Sequence, residues 1–183
     1  MTTHPLSDPS APPVYIHGLE GSPMGTKGRF IEQTFGRSGP EMPASRDAQG
    51  GRPSCFEACY ERVVTYLHQH PASVIIGSSF GGAITMALLQ RGVWRGPIVL
   101  LAPAIQYYGL ALTLPAGVHA VIIHDPSDDI IPFAGSQALQ HANPLMTELR
   151  ESDGGHRLHT ITSNGMLERA VREQLARAAK HKP

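Results

Sequence analysis

Residues 73–82 read S-V-I-I-G-S-S-F-G-G, a short apolar run that breaks into G-x-S-x-G with Ser79 at its centre. Ser73 to Ile76 is apolar and β-branched without alternation, as expected of a strand buried on both faces of a parallel sheet. A helix follows at once. Phe80 to Gln90 places Ile84, Ala87, Leu88 and Arg91 at helical spacing, and Gly92 supplies a stop. A serine pinched between the end of a strand and the start of a helix is held in a strained backbone conformation with its hydroxyl exposed. Gly77 and Gly81 flank it because a side chain on either would collide across so tight a turn. The stretch reads as a nucleophile elbow.

A second strand end lies upstream. Residues 14–27, V-Y-I-H-G-L-E-G-S-P-M-G-T-K, run from a short apolar strand into a turn rich in Gly, Ser and Pro, which can present backbone N–H groups. An acyl carbonyl under attack becomes an oxyanion, and two preorganised donors are needed to hold it, each worth about 3 kcal/mol. The amides of Leu19, after the His-Gly pair, and of Phe80, after the serine, are the expected donors.

Two further strand ends complete the set. Residues 119–133, H-A-V-I-I-H-D-P-S-D-D-I-I-P-F, offer three carboxylates, Asp125, Asp128 and Asp129, one of which would hold an imidazole in the tautomer a general base requires. Asp125, beside a proline, suits a side-chain cap on its turn. Residues 147–158, T-E-L-R-E-S-D-G-G-H-R-L, bring His156 on a glycine-flanked loop after the last strand, with His159 as the fallback. Histidine is the side chain suited to general-base work at neutral pH. The chain order Ser, Asp, His is the one this arrangement of strand ends calls for.

Taken together, the four segments resemble the alpha/beta-hydrolase superfamily. The H-G-L-E-G-S-P-M-G-T-K and G-S-S-F-G-G pieces are similar to those of its small bacterial YqiA-like esterases, over nearly the whole chain after Val14. In the usual pattern the acid stands in H-G-x-x-D-x-x-V-P. Here the stretch is H-D-P-S-D-D-I-I-P, so Asp128 is the matching acid and Asp125 replaces the glycine. The resemblance implies a Ser79, Asp128, His156 triad, an acyl-enzyme intermediate and hydrolysis of a small-molecule ester or thioester, with no cofactor and no metal.

Composition bounds the alternatives. At 183 residues and 41% hydrophobic, the chain can bury the core of one domain, and a polar, Pro-rich stretch over residues 1–13 reads as a flexible tail ahead of a domain at 14–183. Fifteen basic and fifteen acidic residues give zero formal charge, a poor basis for binding nucleic acid. The basic C-terminal stretch has Leu167, Val171, Leu175 and Ala178 on one face, so its charges are the solvated side of a helix. Without an apolar run of membrane-spanning length or a secretion-signal core, the expected location is the cytoplasm and no membrane partner is expected. Cys55 and Cys59 lie on a helix opened by Ser54 and Glu57 and are expected to serve packing.

The pattern predicts strands near 14–18, 73–78, 97–102, 119–124 and 147–152, with a short one at Glu41 to Ala44. Helices are expected near 25–36, 54–69, 80–91, 133–142 and 165–180. This is a mostly parallel sheet with helices on both faces. No lid domain fits between the strands at 97–102 and 119–124. In that connection Tyr107, Tyr108, Leu110 and Leu112 form an acyl-binding wall or cover the sheet, and Lys27 either steers an anionic substrate or is a solvated helix lysine. Two rival functions stand beside the esterase: a peptidase or amidase using the same triad, and a catalytically idle binding module on the same scaffold.

Overall fold

The computed structural model describes residues 6–19, 21–43 and 56–180. Five parallel strands, β1 (Val14–Ile16), β2 (Ile75–Ser78), β3 (Ile98–Leu101), β4 (Ala120–His124) and β5 (Thr147–Glu151), lie side by side in chain order. Helices α1 (Thr26–Phe35), α2 (Phe56–Gln69), α3 (Phe80–Gln90), α4 (Phe133–Ala142) and α5 (Met166–Lys180) cover the sheet. Parallel neighbours require such crossovers, which is why strands and helices alternate along the chain.

Both faces of the sheet are buried, so strand residues of either parity are apolar. Val14, Ile16, Ile75, Ile98, Leu100 and Ile122 pack with residues of α2, α3 and α4. Tyr15, Ile76, Val99, Leu101, Val121 and Ile123 pack on the other side with α1 and α5. The central helix α3 is buried from Phe80 to Leu89, which explains its apolar composition all round. β5 closes the sheet as a half-exposed edge, its Arg150 paired with Glu148 and Glu173.

Three expectations change. Residues 41–43 form no strand; the chain instead runs beside β1, with the Tyr15 N–H donating to the Ser38 carbonyl at 3.1 Å and the Met42 N–H to His17 Nε2 at 3.1 Å. Side-chain capture by a buried histidine replaces the regular ladder there, and Ala44 lies outside the described residues. Within the stretch expected as a tail, over 1–13, described residues pack on the domain. Leu6 is buried and the chain pairs with Ala72, whose N–H donates to the Leu6 carbonyl at 3.1 Å while the Asp8 N–H donates back at 2.8 Å. Finally, Ser54 and Cys55, the expected start of α2, lie outside the described residues, whereas Cys59 is buried in the core as a packing residue.

Candidate active site

Every group singled out at a strand end arrives at the same edge of the sheet, because all the strands are parallel and their C-terminal ends coincide. Ser79 sits between β2 and α3 with φ 52° and ψ −113°, a conformation a serine adopts only under constraint. The constraint is steric. A Cβ on Gly81 would stand 2.1 Å from the Ile16 carbonyl oxygen, and one on Gly77 would stand 2.3 Å from Thr85 Oγ1. These glycines let α3 begin flush against β1 and aim the serine outward.

His156 lies on a one-turn 3-10 helix (Gly155–Arg157) after β5, and its Nε2 is 3.1 Å from Ser79 Oγ. Its Nδ1 is 2.8 Å from Asp128 Oδ2. Facing a carboxylate, Nδ1 carries the proton and donates, which leaves Nε2 as the acceptor for the serine hydroxyl. Asp128 is fully enclosed, its side chain 0% exposed. Oδ1 accepts the N–H groups of Ile130 and Ile131, both at 2.9 Å, while Oδ2 accepts from His156 and from a second ring, His124 Nε2 at 3.0 Å. Burial works to raise the Asp128 pKa, but the Ile131 N–H, the His156 ring and the Ile130 N–H outweigh it and hold the carboxyl below its ordinary value.

His124, at the end of β4, escaped the sequence reading. It is 0% exposed, donates from Nε2 toward Asp128 and the Ile131 carbonyl (3.1 Å), and accepts the Ser136 hydroxyl at Nδ1 (2.7 Å). Burial lowers its pKa, more than the nearby Asp128 raises it, so the ring is neutral. Its place immediately before Asp125 in the loop motif is the only signal the chain offered.

Asp125 caps its turn as its neighbouring proline suggested, accepting the Ser127 N–H and hydroxyl at Oδ1, both at 2.7 Å. Its other oxygen reaches further, accepting the Gly155 N–H at 2.6 Å. On the far side of the same loop, Lys27 Nζ donates to the Arg157 carbonyl at 2.6 Å. The residues on either side of His156 are therefore tethered to different elements. Neither Asp129 nor His159 enters the hydrogen-bonded chain through Ser79, His156 and Asp128, although His159 lines the adjoining cavity.

The turn after β1 passes directly beside the serine: a Cβ on Gly18 would lie 3.3 Å from Ser79 Cβ. His17 orders this turn. Its Nε2 accepts the Met42 N–H, so Nδ1 carries the proton and donates to the Gly18 carbonyl at 2.7 Å. Leu19 lines the cavity next to Ser79, and so does Phe80, whose N–H is the first of α3 and has no intrahelical acceptor. The cavity measures about 930 Å³. Tyr107 and Tyr108, on a 3-10 turn after β3, line it as well. Leu110 does not line it; half-buried, it packs against the core just after Gly109, whose φ is 62°. Tyr107 donates to the Ile130 carbonyl at 3.0 Å across the rim, and Tyr108 stacks on Phe56 with ring centres 4.9 Å apart.

An elbow serine, an acid and a histidine presented in that order on a parallel sheet define an alpha/beta-hydrolase fold. The chain belongs to the Uncharacterised protein family UPF0227, whose pattern matches residues 13–115. No curated protein matches it. Among solved structures it is similar to a protein of Xanthomonas campestris pv. campestris named for the alpha/beta superfamily of hydrolases, at 23% identity and TM-score 0.71, covering 91% of this chain and 97% of that one. An alpha-beta serine hydrolase homologue from Coxiella burnetii is 16% identical with TM-score 0.69, covering 91% and 86%. Mouse alpha/beta hydrolase domain-containing protein 10 is 14% identical with TM-score 0.63, covering 86% and 89%. At these identities the likeness is one of fold. Among the described residues no helix is long and apolar enough to cross a membrane.

Proposed function

We propose that this protein is a serine hydrolase that cleaves small carboxylic esters or thioesters through an acyl-enzyme. The observation that carries the reading is the continuous hydrogen-bonded chain Ser79–His156–Asp128, at 3.1 and 2.8 Å, opening into a cavity of about 930 Å³. In this mechanism His156 Nε2 takes the hydroxyl proton as Ser79 Oγ bonds to the acyl carbon. Asp128 stabilises the imidazolium that forms, and the Leu19 and Phe80 amides receive the oxyanion. The proton then passes from His156 to the departing alcohol or thiol as its bond to the acyl carbon breaks. Water, deprotonated by the same ring, attacks the acyl-Ser79 ester, and the acid leaves with Ser79 regenerated. Every proton and electron pair is accounted for by these side chains, the substrate and water, so the steps as written call for no cofactor.

A fluorophosphonate probe tests the reading. Adduct at Ser79, located by mass spectrometry and lost in His156→Ala, is the expected result. Failure of the folded protein to label would replace the enzyme with a binding module on the same scaffold, and a panel of esters, thioesters and amides separates the esterase from an amidase.

A further inference from the structure

Among the described residues, the Lys, Arg, Asp and Glu side chains in the lining of the cavity beside Ser79 are of one sign. Lys27 and Arg157 are among its lining residues, Arg157 at the exposed rim, and no described Asp or Glu is. Neither cation makes an ion pair with a described residue. Lys27 spends one of its three donors on the Arg157 main-chain carbonyl, at 2.6 Å, which leaves two donors for another acceptor. That bond also fixes where the ammonium sits. It stands against the residue that follows His156, and so within the same pocket as the serine that His156 contacts at 3.1 Å.

Burial depresses the Lys27 pKa below its ordinary value, and the neighbouring Arg157 charge lowers it further. Two cations that repel one another at the wall of a partly enclosed pocket are unfavourable by themselves. They become favourable when an anion enters and the pocket loses water. A guanidinium offers a fork for a two-oxygen group, and an ammonium held against the same residue's main chain adds a point charge.

We propose that the substrate of this site carries an oxyanionic group, a carboxylate or a phosphate, bound by Lys27 and Arg157 while Ser79 attacks the ester carbonyl of the same molecule. The inference rests on the serine-hydrolase reading and deepens it: the covalent steps are unchanged, and the charged end of the substrate sets its position.

The test compares matched esters that differ only in charge. 4-Nitrophenyl glutarate, with a free carboxylate on the acyl side, is set against 4-nitrophenyl pentanoate. Pentanoyl glycerol 3-phosphate, with the anion on the leaving group, is set against pentanoyl glycerol. The expected result is a preference of about ten-fold in kcat/KM for one charged member over its neutral partner, the size of one charge-assisted contact. Which pair shows it tells whether the anion sits on the acyl or the leaving side. The preference should shrink with added salt and collapse toward unity in Arg157→Gln, which keeps the main-chain carbonyl that Lys27 holds, and in Lys27→Met. Equal or better turnover of both neutral esters overturns the proposal, as does a preference that survives both substitutions. Absence of Ser79-dependent turnover of any of the four overturns the serine-hydrolase reading and this inference with it, an outcome distinct from neutral-ester activity without charge preference.

Discussion

Asp125 and Gly155 are 30 positions apart in the chain, yet the Gly155 N–H donates to Asp125 Oδ2 at 2.6 Å and ties the loop after β4 to the loop that carries His156. The tethered loop needs it. Gly154, Gly155 and Leu158 all lie in the left-handed region, at φ 97°, 60° and 47°, so the backbone around the histidine has little intrinsic preference for the shape it holds. Asp125→Ala should lower kcat about ten-fold with a much smaller effect on KM, because the base spends less time within reach of Ser79. Asp125→Asn, which retains an acceptor, should recover most of the loss. Steady-state ester kinetics on the two variants check this; equal rates in Ala and wild type would show that the loop is positioned without Asp125.

Asp128→Asn should reduce kcat by about 10⁴, since an amide facing His156 Nδ1 no longer enforces the tautomer in which Nε2 accepts from Ser79. Ser79→Ala should cost about 10⁶. The double variant should fall no further than the serine variant alone, and additive losses would place the two residues in separate steps.

Replacing His124 should cost stability more than its surface cost would suggest, because the ring is fully buried and is bonded on both sides. His124→Phe keeps a flat aromatic ring, slightly larger than imidazole, but removes a donor from Asp128 and leaves the Ser136 hydroxyl without its acceptor. A loss of about 2–3 kcal/mol in urea unfolding is expected. A loss under half of that would mean that the pocket refills with water at little cost.

Acid should destabilise the fold in two stages. Burial depresses the His124 pKa, so between its folded and unfolded values the unfolded chain binds the extra proton; stability from this group is complete above about pH 6.5 and is lost as pH falls from there. Asp125 and Asp128 are also held below their ordinary value. Asp125 is lowered by the Ser127 hydroxyl and N–H and by the Gly155 N–H. Their contributions are present above about pH 4 and are lost below it. Unfolding free energies measured at pH 7, 5 and 3 should fall at each step. His124→Phe should abolish most of the change between pH 7 and 5 while leaving the lower step, and an unchanged upper step would assign it to another group.

Gly81→Ala should be far worse than Gly109→Ala. A Cβ on Gly81 meets the Ile16 carbonyl oxygen at 2.1 Å and the His17 carbonyl oxygen at 2.6 Å, both backbone atoms that cannot swing aside. More than about 3 kcal/mol of stability should be lost, along with the Ser79 geometry. Gly109 has φ 62° but open space around it, so alanine there should cost only about 1 kcal/mol of backbone strain. Thermal unfolding of the two proteins decides the comparison.

The chain on its own determined the alternation of fully apolar strands with helices, because burial on both faces of a parallel sheet leaves a continuous hydrophobic signature. It also determined the elbow, because steric demands at a strand-to-helix turn act over five residues and show as two glycines around a serine. Local capping was equally legible in Asp125 beside its proline. What tertiary structure alone decided is every contact between distant segments. Folding set the distances among Ser79, Asp128 and His156, and it gave Asp125 its second partner in Gly155. It enclosed His124 as a second donor to Asp128. It packed Leu110 against the core and set Tyr107 and Tyr108 in the cavity lining, and it drew residues 38–42 alongside β1 through His17 rather than into a strand. It also brought Lys27 against Arg157. Periodicity and turn chemistry are local consequences of sterics and burial and can be read residue by residue. A hydrogen bond across 30 or 130 positions exists only once the parallel sheet has brought its strand ends to one edge.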